Sequence, residues 1–186
     1  MRIIAGSHKG RALAAPKGRK TRPTADRTRE SIFNKLAHAS WSDGLAGKRV
    51  IDLFAGSGAL GFEAMSRGAA FCLFVETDAG ARGAIRDNVE ALQLWATTRL
   101  HRRDATAMGP KPANLGAPFD LVFLDPPYGK GLGELALSRL LDGGWLTADA
   151  IAVLEVGIEE IPQTPGWERL DEGEYGAARV VYLRRG

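Results

Sequence analysis

Arg49-Val50-Ile51-Asp52-Leu53-Phe54-Ala55-Gly56-Ser57-Gly58-Ala59-Leu60-Gly61 is the stretch on which the fold turns. Residues 49–54 are an apolar, β-branched run. Gly56, Gly58 and Gly61 then fall at G-x-G-x-x-G spacing, and residues 59–67 carry helical periodicity up to a stop at Gly68. A strand that turns on glycines into a helix is the opening unit of a parallel α/β sheet. Downstream the alternation continues: an apolar run at 71–75, then a helix capped by Asp78 with Ile85, Val89 and Leu92 on one face. A weaker strand at 99–102 and a strong one at 119–124 follow, then a helix at 131–141 and a strand at 151–156. Two last segments, 167–171 and 179–183, flank Gly173-Glu174-Tyr175-Gly176 and read as a hairpin. Strands alternating with helices of this length predict a doubly wound, mostly parallel sheet with helices on both faces and an antiparallel strand from the C-terminal hairpin.

Upstream of that unit the chain changes character. Residues 2–5 and 11–14 read as a short β-hairpin around Gly6 and Gly10, residues 16–24 as a basic loop, and residues 25–39 as a helix with Thr24 or Asp26 available as cap. Residues 1–40 hold ten Lys/Arg against two acids, a net +8, whereas the remaining 146 hold fifteen against twenty, a net −5. A basic arm on a mildly acidic body suits a polyanion, because each neutralised phosphate releases condensed counterions. Charge alone also allows a solvated tail with no partner, though a polyanionic partner is the favoured reading. The organisation expected is therefore a polyanion-binding extension over 1–24 and a globular α/β domain over 25–186.

Composition removes whole classes. With 186 residues, 45% hydrophobic and 25% charged, the chain suits a single globular core. No run of about 18 apolar residues suggests a membrane span, and the N-terminus lacks a signal-peptide apolar core. A single cysteine, Cys72, and three histidines without ligand spacing exclude an internal disulfide and argue against a metal site. A cytoplasmic, metal-free α/β protein is the expectation.

Two places carry chemistry. Glycines in the turn let a ligand approach the backbone, and Asp52, Phe54, Gly56, Ser57 and Gly58 line up there as contacts. Glu76 ends the next strand eighteen residues after Gly58, placed to accept two ribose hydroxyls. Both a dinucleotide and S-adenosylmethionine (SAM) fit such a turn. A dinucleotide would bring its pyrophosphate to the helix N-terminus, where the Asp52 carboxylate would oppose it. The same carboxylate would pair with the cationic amine of a methionine moiety, which favours SAM. The second place is Asp125-Pro126-Pro127-Tyr128, directly after the 119–124 strand. The prolines fix φ and hold Asp125 out of helix. The result is a stiff corner with a carboxylate, a free Pro126 carbonyl and an aromatic ring. An exocyclic amine on a base is a poor nucleophile because its lone pair is delocalised. Two acceptors on its N–H groups localise that pair, while Tyr128 stacks on a base turned out of its helix.

Asp52 through Gly61, Glu76 and the Asp125-Pro126-Pro127-Tyr128 corner, in this order, resemble a class I SAM-dependent amino-methyltransferase. Arg2-Ile3-Ile4-Ala5-Gly6, Lys9-Gly10-Arg11, Thr21-Arg22-Pro23-Thr24, Asp26-Arg27 and Gly129-Lys130-Gly131 narrow the resemblance to the bacterial ribosomal small-subunit RNA methyltransferase D family. It covers essentially the whole chain. It implies a seven-stranded class I methyltransferase sheet with an N-terminal β-hairpin extension, SAM as cofactor, and methylation of a guanine N2 in 16S rRNA. The implied partner is that rRNA within a small ribosomal subunit or an assembly intermediate. It also implies that Asp104 and Ala105, after the third strand, approach the adenine. Pro127, Arg19, Lys20, Arg22, Thr24 and Lys130 are then substrate-side candidates. Two positions depart from the family pattern, Ala25 and Thr28. A DNA adenine-N6 methyltransferase shares the corner chemistry, since both targets are planar exocyclic amines. A nicotinamide-dependent oxidoreductase shares only the turn, and a non-enzymatic RNA-binding module would need neither.

Overall fold

The computed structural model describes residues 1–18 and 23–186, with backbone only at 23 and 24. Its centre is a seven-stranded sheet. The strands are β1 (Arg49–Leu53), β2 (Phe71–Val75), β3 (Thr98–His101), β4 (Phe119–Leu124), β5 (Leu146–Gly157), β6 (Trp167–Tyr175) and β7 (Ala178–Arg185). They lie in the order β3-β2-β1-β4-β5-β7-β6. The first five are mutually parallel, and β7 runs antiparallel to both its neighbours. The order reverses between β1 and β4. In open parallel sheets, ligands bind in the crevice at the carboxyl ends of the strands at that switch point.

Alternation along the strands divides the core. Val50, Cys72, Phe74, Leu121, Phe123 and Val153 pack one face against α1 (Pro23–His38), α2 (Ala59–Ser66) and α3 (Ala79–Leu92). Ile51, Leu53, Leu73, Val122, Leu124 and Leu154 pack the other against α4 (Leu132–Asp142) and two short 3-10 turns at Ala105–Ala107 and Ala113–Leu115. One-residue alternation thus places Asp52 and Phe123 on the α1–α3 face.

Three segments differ from the sequence reading. The N-terminal hairpin is reduced to one antiparallel bridge, Arg2 with Ala12. Its arms are joined by the Ile3 N–H on the Arg11 carbonyl, the Gly10 N–H on the Ile3 carbonyl and the Leu13 N–H on the Met1 carbonyl, while the next N–H groups go outside it: Ile4 and Ala5 donate to the Glu63 carboxylate at 2.8 and 3.1 Å, and Ala14 donates to Asn88 Oδ1 at 2.7 Å. Ile3 and Leu13 join the α1–α3 core, so the extension has no separate core of its own. Strand β5 begins at Leu146, earlier than its apolar run, with a register shift between the Phe119 and Leu121 pairings. The C-terminal hairpin turns at Gly176-Ala177, with β6 running through Gly173, which pairs with Val180. Gly173 makes room there, since a Cβ would lie 2.6 Å from the Tyr175 hydroxyl oxygen.

Candidate active site

The turn after β1 is held from several sides. Phe54, Gly56 and Gly58 all adopt positive φ, at 55°, 59° and 81°. A Cβ on Gly58 would lie 2.7 Å from the Phe62 ring, and one on Gly61 would lie 2.4 Å from Phe74. These two glycines therefore let α2 close onto β2. Glu76, at the end of β2, accepts the Gly56 N–H at 2.7 Å and the Thr77 and Asp78 N–H groups at 2.8 and 3.0 Å. Asn88 on α3 donates to the Ser57 carbonyl at 3.2 Å and to the Ala14 carbonyl at 3.1 Å, which joins the turn to the N-terminal extension.

Asp52 is 2% exposed and accepts the Gly61 N–H at 3.0 Å. Burial pushes its carboxyl well above the usual carboxylate range. The Gly61 hydrogen bond opposes this, and the charges of Asp125 and Glu76 add to it. A buried acid so displaced is primed for a cationic partner.

The corner after β4 is anchored differently. The Tyr128 hydroxyl donates to Glu155 at 2.6 Å, and the Gly129 N–H donates to Glu160 at 2.9 Å. Glu160 also accepts the Gly157 N–H, so one carboxylate ties the loop to the end of β5. Pro126 is buried, while Asp125, Pro127, Tyr128 and Lys130 are exposed. Burial first, then the hydrogen bond to Glu155 and the charges of Glu155, Asp125 and Glu160, push the Tyr128 phenol upward, so it remains a donor.

The turn and the corner meet. Asp52, Phe54, Ala55, Gly56, Ser57 and Asp125 line one cavity of about 350 Å³, closed by Pro16 of the extension, Thr28 and Ile32 of α1, and Glu155. Phe54 also lines a second cavity of about 240 Å³ with Glu76, Asp104, Ala105 and Pro127. Asp104 caps the first 3-10 turn, accepting the Thr106 N–H at 2.8 Å and its hydroxyl at 2.7 Å; those bonds hold its carboxyl below the usual range. Tyr128 and Pro126 line a separate shallow cleft beside Glu155. Gly58 is the N-cap of α2 and is not among the residues lining the first cavity, where Ser57 and Ala59 on either side of it are. Arg19, Lys20 and Arg22, and the Thr24 side chain, lie outside the described residues. Sequence reasoning missed Asn88, Glu155 and Glu160. A polar residue on the apolar stripe of α3 signals the first, and a carboxylate inside an apolar strand signals the second.

The groove suits SAM. Carboxylates line both cavities that meet at Phe54, Asp52 in the first and Glu76 and Asp104 in the second. A pyrophosphate at the turn would face the buried Asp52. Among the described residues no group of three or more His, Cys, Asp or Glu could hold a metal ion, and no helix is long and apolar enough to cross a membrane.

This sheet order, with a glycine turn at the switch point and an acid closing β2, defines a class I, SAM-dependent methyltransferase. Residues 1–184 match the family model described as conserved hypothetical protein 95. The chain is 36% identical over 183 residues to Ribosomal RNA small subunit methyltransferase D of Escherichia coli (strain K12), covering 98% of this chain and 87% of that one. It is 39% identical over 189 residues to YlbH of Bacillus subtilis (strain 168), covering 100% of both. The solved structure of yhhF from Escherichia coli superposes with a TM-score of 0.85 at 34% identity, over 100% of this chain and 97% of that one. Magnesium protoporphyrin IX methyltransferase from Synechocystis, solved with bound SAM, shares the fold at a TM-score of 0.66 and 15% identity, over 91% of this chain and 87% of that one. The chain belongs to the conserved hypothetical protein 95 family, together with these small-subunit rRNA methyltransferase D relatives.

Proposed function

We propose that the protein methylates the exocyclic N2 amine of a guanine in 16S rRNA, acting in the cytoplasm on a small ribosomal subunit or an assembly intermediate. The observation that carries this reading is the shared cavity. The glycine turn with its buried Asp52 and the corner carboxylate Asp125 face one space of about 350 Å³. The substrate comes from the relatives named for ribosomal RNA and from the net +8 of residues 1–40.

SAM, when bound, supplies an electrophilic methyl carbon on a sulfonium. Asp52, Phe54, Gly56, Ser57 and Gly58 hold its methionine part, Glu76 its ribose hydroxyls, and Asp104 with Ala105 its adenine edge. Asp125 and the Pro126 carbonyl accept the two N–H groups of the target amine and aim its lone pair. Tyr128, 44% exposed, presents a ring for the base to stack on. Pro127, which lines the second cavity, is a substrate-side contact. Orientation carries most of the rate, since well-oriented reactants gain effective molarities of about 10⁵–10⁸ M. The proton lost by the amine is acidic once the nitrogen is alkylated, so Asp125 need only receive it. Residues 1–24, with Lys9, Arg11 and Lys17 exposed and Arg19, Lys20 and Arg22 adding charge, form the RNA-contacting extension of the domain over 25–186. Thr24 and Lys130 are further substrate-side residues in this reading.

Nucleoside mass mapping tests the reading. Unmodified 16S rRNA and small subunits are incubated with protein and labelled SAM. N2-methylguanosine at a single position is expected. Label in N6-methyladenosine or in added DNA would overturn the guanine reading in favour of an adenine methyltransferase.

A further inference from the structure

The Asp125 corner explains how an amine is held, but not which base carries it. Adenine and guanine both offer a planar exocyclic amine. They differ at the neighbouring ring nitrogen: N1 of guanine carries a hydrogen, whereas N1 of adenine is an acceptor. A flipped base is read on that edge, so the discriminating group must stand beside Asp125 and must be an acceptor.

Glu155 meets both conditions. Leu124 pairs with Leu154 across the parallel β4–β5 ladder, so Asp125 and Glu155 are the next residues on strands about 4.8 Å apart. Both share the strand parity of Phe123 and Val153, which face α1–α3. Both line the cavity that contains Asp52. One carboxylate oxygen of Glu155 is occupied, accepting the Tyr128 hydroxyl at 2.6 Å. That bond fixes the carboxylate while its second oxygen can accept from a ligand. Asp52, Asp125 and Glu155 all line the cavity, and its one cationic side chain among the described residues, Arg29, is paired with Asp26 and Glu63, so acceptors are available to a ligand's donors.

We propose that Glu155 is the residue that selects guanine, accepting N1–H of the target base while Asp125 and Pro126 hold its N2 amine. The proposal rests on the methyltransferase reading above. An adenine placed on the same corner would set its N1 lone pair against the Glu155 carboxylate. Repulsion and an unmet acceptor then disfavour it, and sites built to hydrogen-bond a missing group reject such analogues strongly. Tyr128 is a positioning residue in this arrangement, orienting Glu155.

The test uses 2-aminopurine, which keeps the N2 amine but has an acceptor at N1. Methyl transfer is measured on small subunits or rRNA carrying guanine or 2-aminopurine at the mapped position, with wild type, Glu155→Gln and Tyr128→Phe. Wild type should prefer guanine by on the order of 10⁴-fold in kcat/KM. In Glu155→Gln, whose amide can donate to N1, the preference should fall to within about 5-fold, with binding of S-adenosylhomocysteine held within about 3-fold. Tyr128→Phe removes the tether but leaves the acceptor, so both bases should slow together and the preference should survive. An unchanged preference in Glu155→Gln, or an equal loss for both bases, overturns the role of Glu155. Absence of any methylguanosine with wild type would instead overturn the function reading on which it rests.

Discussion

The glycine turn and the proline corner stand at the ends of adjacent strands and face one cavity, but they are held by different means. The turn is half-buried, and its supports come from the β1–α2–β2 unit that carries it, with Asn88 added from α3. Gly58 and Gly61 pack α2 against Phe62 and Phe74, Asp52 takes the Gly61 N–H, and Glu76 takes the Gly56 N–H. The corner is exposed, and its tethers come from about thirty residues downstream: Tyr128 to Glu155, and Gly129 to Glu160. The cofactor side is therefore held mainly by the unit that carries it, with one bond from α3, and the target side by β5 and the residues just after it. Such a division suits an enzyme whose small ligand is constant and whose large substrate must enter from outside.

Separate supports should fail separately. Replacing Asp125 by Ala should have the largest effect, lowering single-turnover methyl transfer by at least about 10³-fold, in the range seen when one key electrostatic group is removed. Affinity for S-adenosylhomocysteine, measured by calorimetry, should stay within about 3-fold. Loss of both would show that the two regions are one unit.

Asp52→Asn probes the opposite side. It should weaken SAM by about 10–100-fold, the usual worth of a hydrogen bond to a charged group. The pH dependence follows from the raised carboxyl. Because the folded protein favours the protonated acid, its contribution to stability is complete below the unfolded value of about 3.9 and fades as pH rises through the folded value. The Asn variant, which mimics the neutral acid, should therefore melt higher than wild type at neutral pH without ligand, by a few degrees, since about 1 kcal/mol moves Tm by about 2–4 °C at this size. SAM affinity of wild type should climb with pH through the same range, while that of the variant stays flat. A flat wild-type profile would remove Asp52 from the cation's partners.

Glu160→Ala should give the smallest effect. It frees the Gly129 and Gly157 N–H groups, so kcat should fall about 10-fold through lost orientation, with cofactor affinity unchanged. A fall in cofactor affinity would mean that the corner tether also shapes the turn.

The same contrast governs what the sequence discloses. The turn was legible because strand, glycines and helix are contiguous between Arg49 and Ser66, and Phe119–Leu124 was legible as an uninterrupted apolar strand. Glu155 and Glu160 acquire their meaning only when β5 lies beside β4, which no local pattern encodes. Asn88 stood on the buried face of α3 and acts across 74 positions on Ala14. The N-terminal hairpin is present but short for a related reason: its arms keep their cross-chain bonds, and the N–H groups of Ile4, Ala5 and Ala14 are taken by Glu63 and Asn88. Gly173 read as a turn because glycine usually marks one, yet here it clears space for the Tyr175 ring within a strand.

The most direct test of the shared cavity is a titration of the ¹⁵N-labelled protein with S-adenosylhomocysteine, followed by amide resonances. Gly56, Ser57, Gly58, Thr77, Ala105 and Asp125 should shift along one saturation curve, while Trp41, Asp43 and Thr147, which line the polar cavity elsewhere on the molecule, stay still. Shifts confined to that other cavity, or movement of the turn without Asp125, would contradict the account.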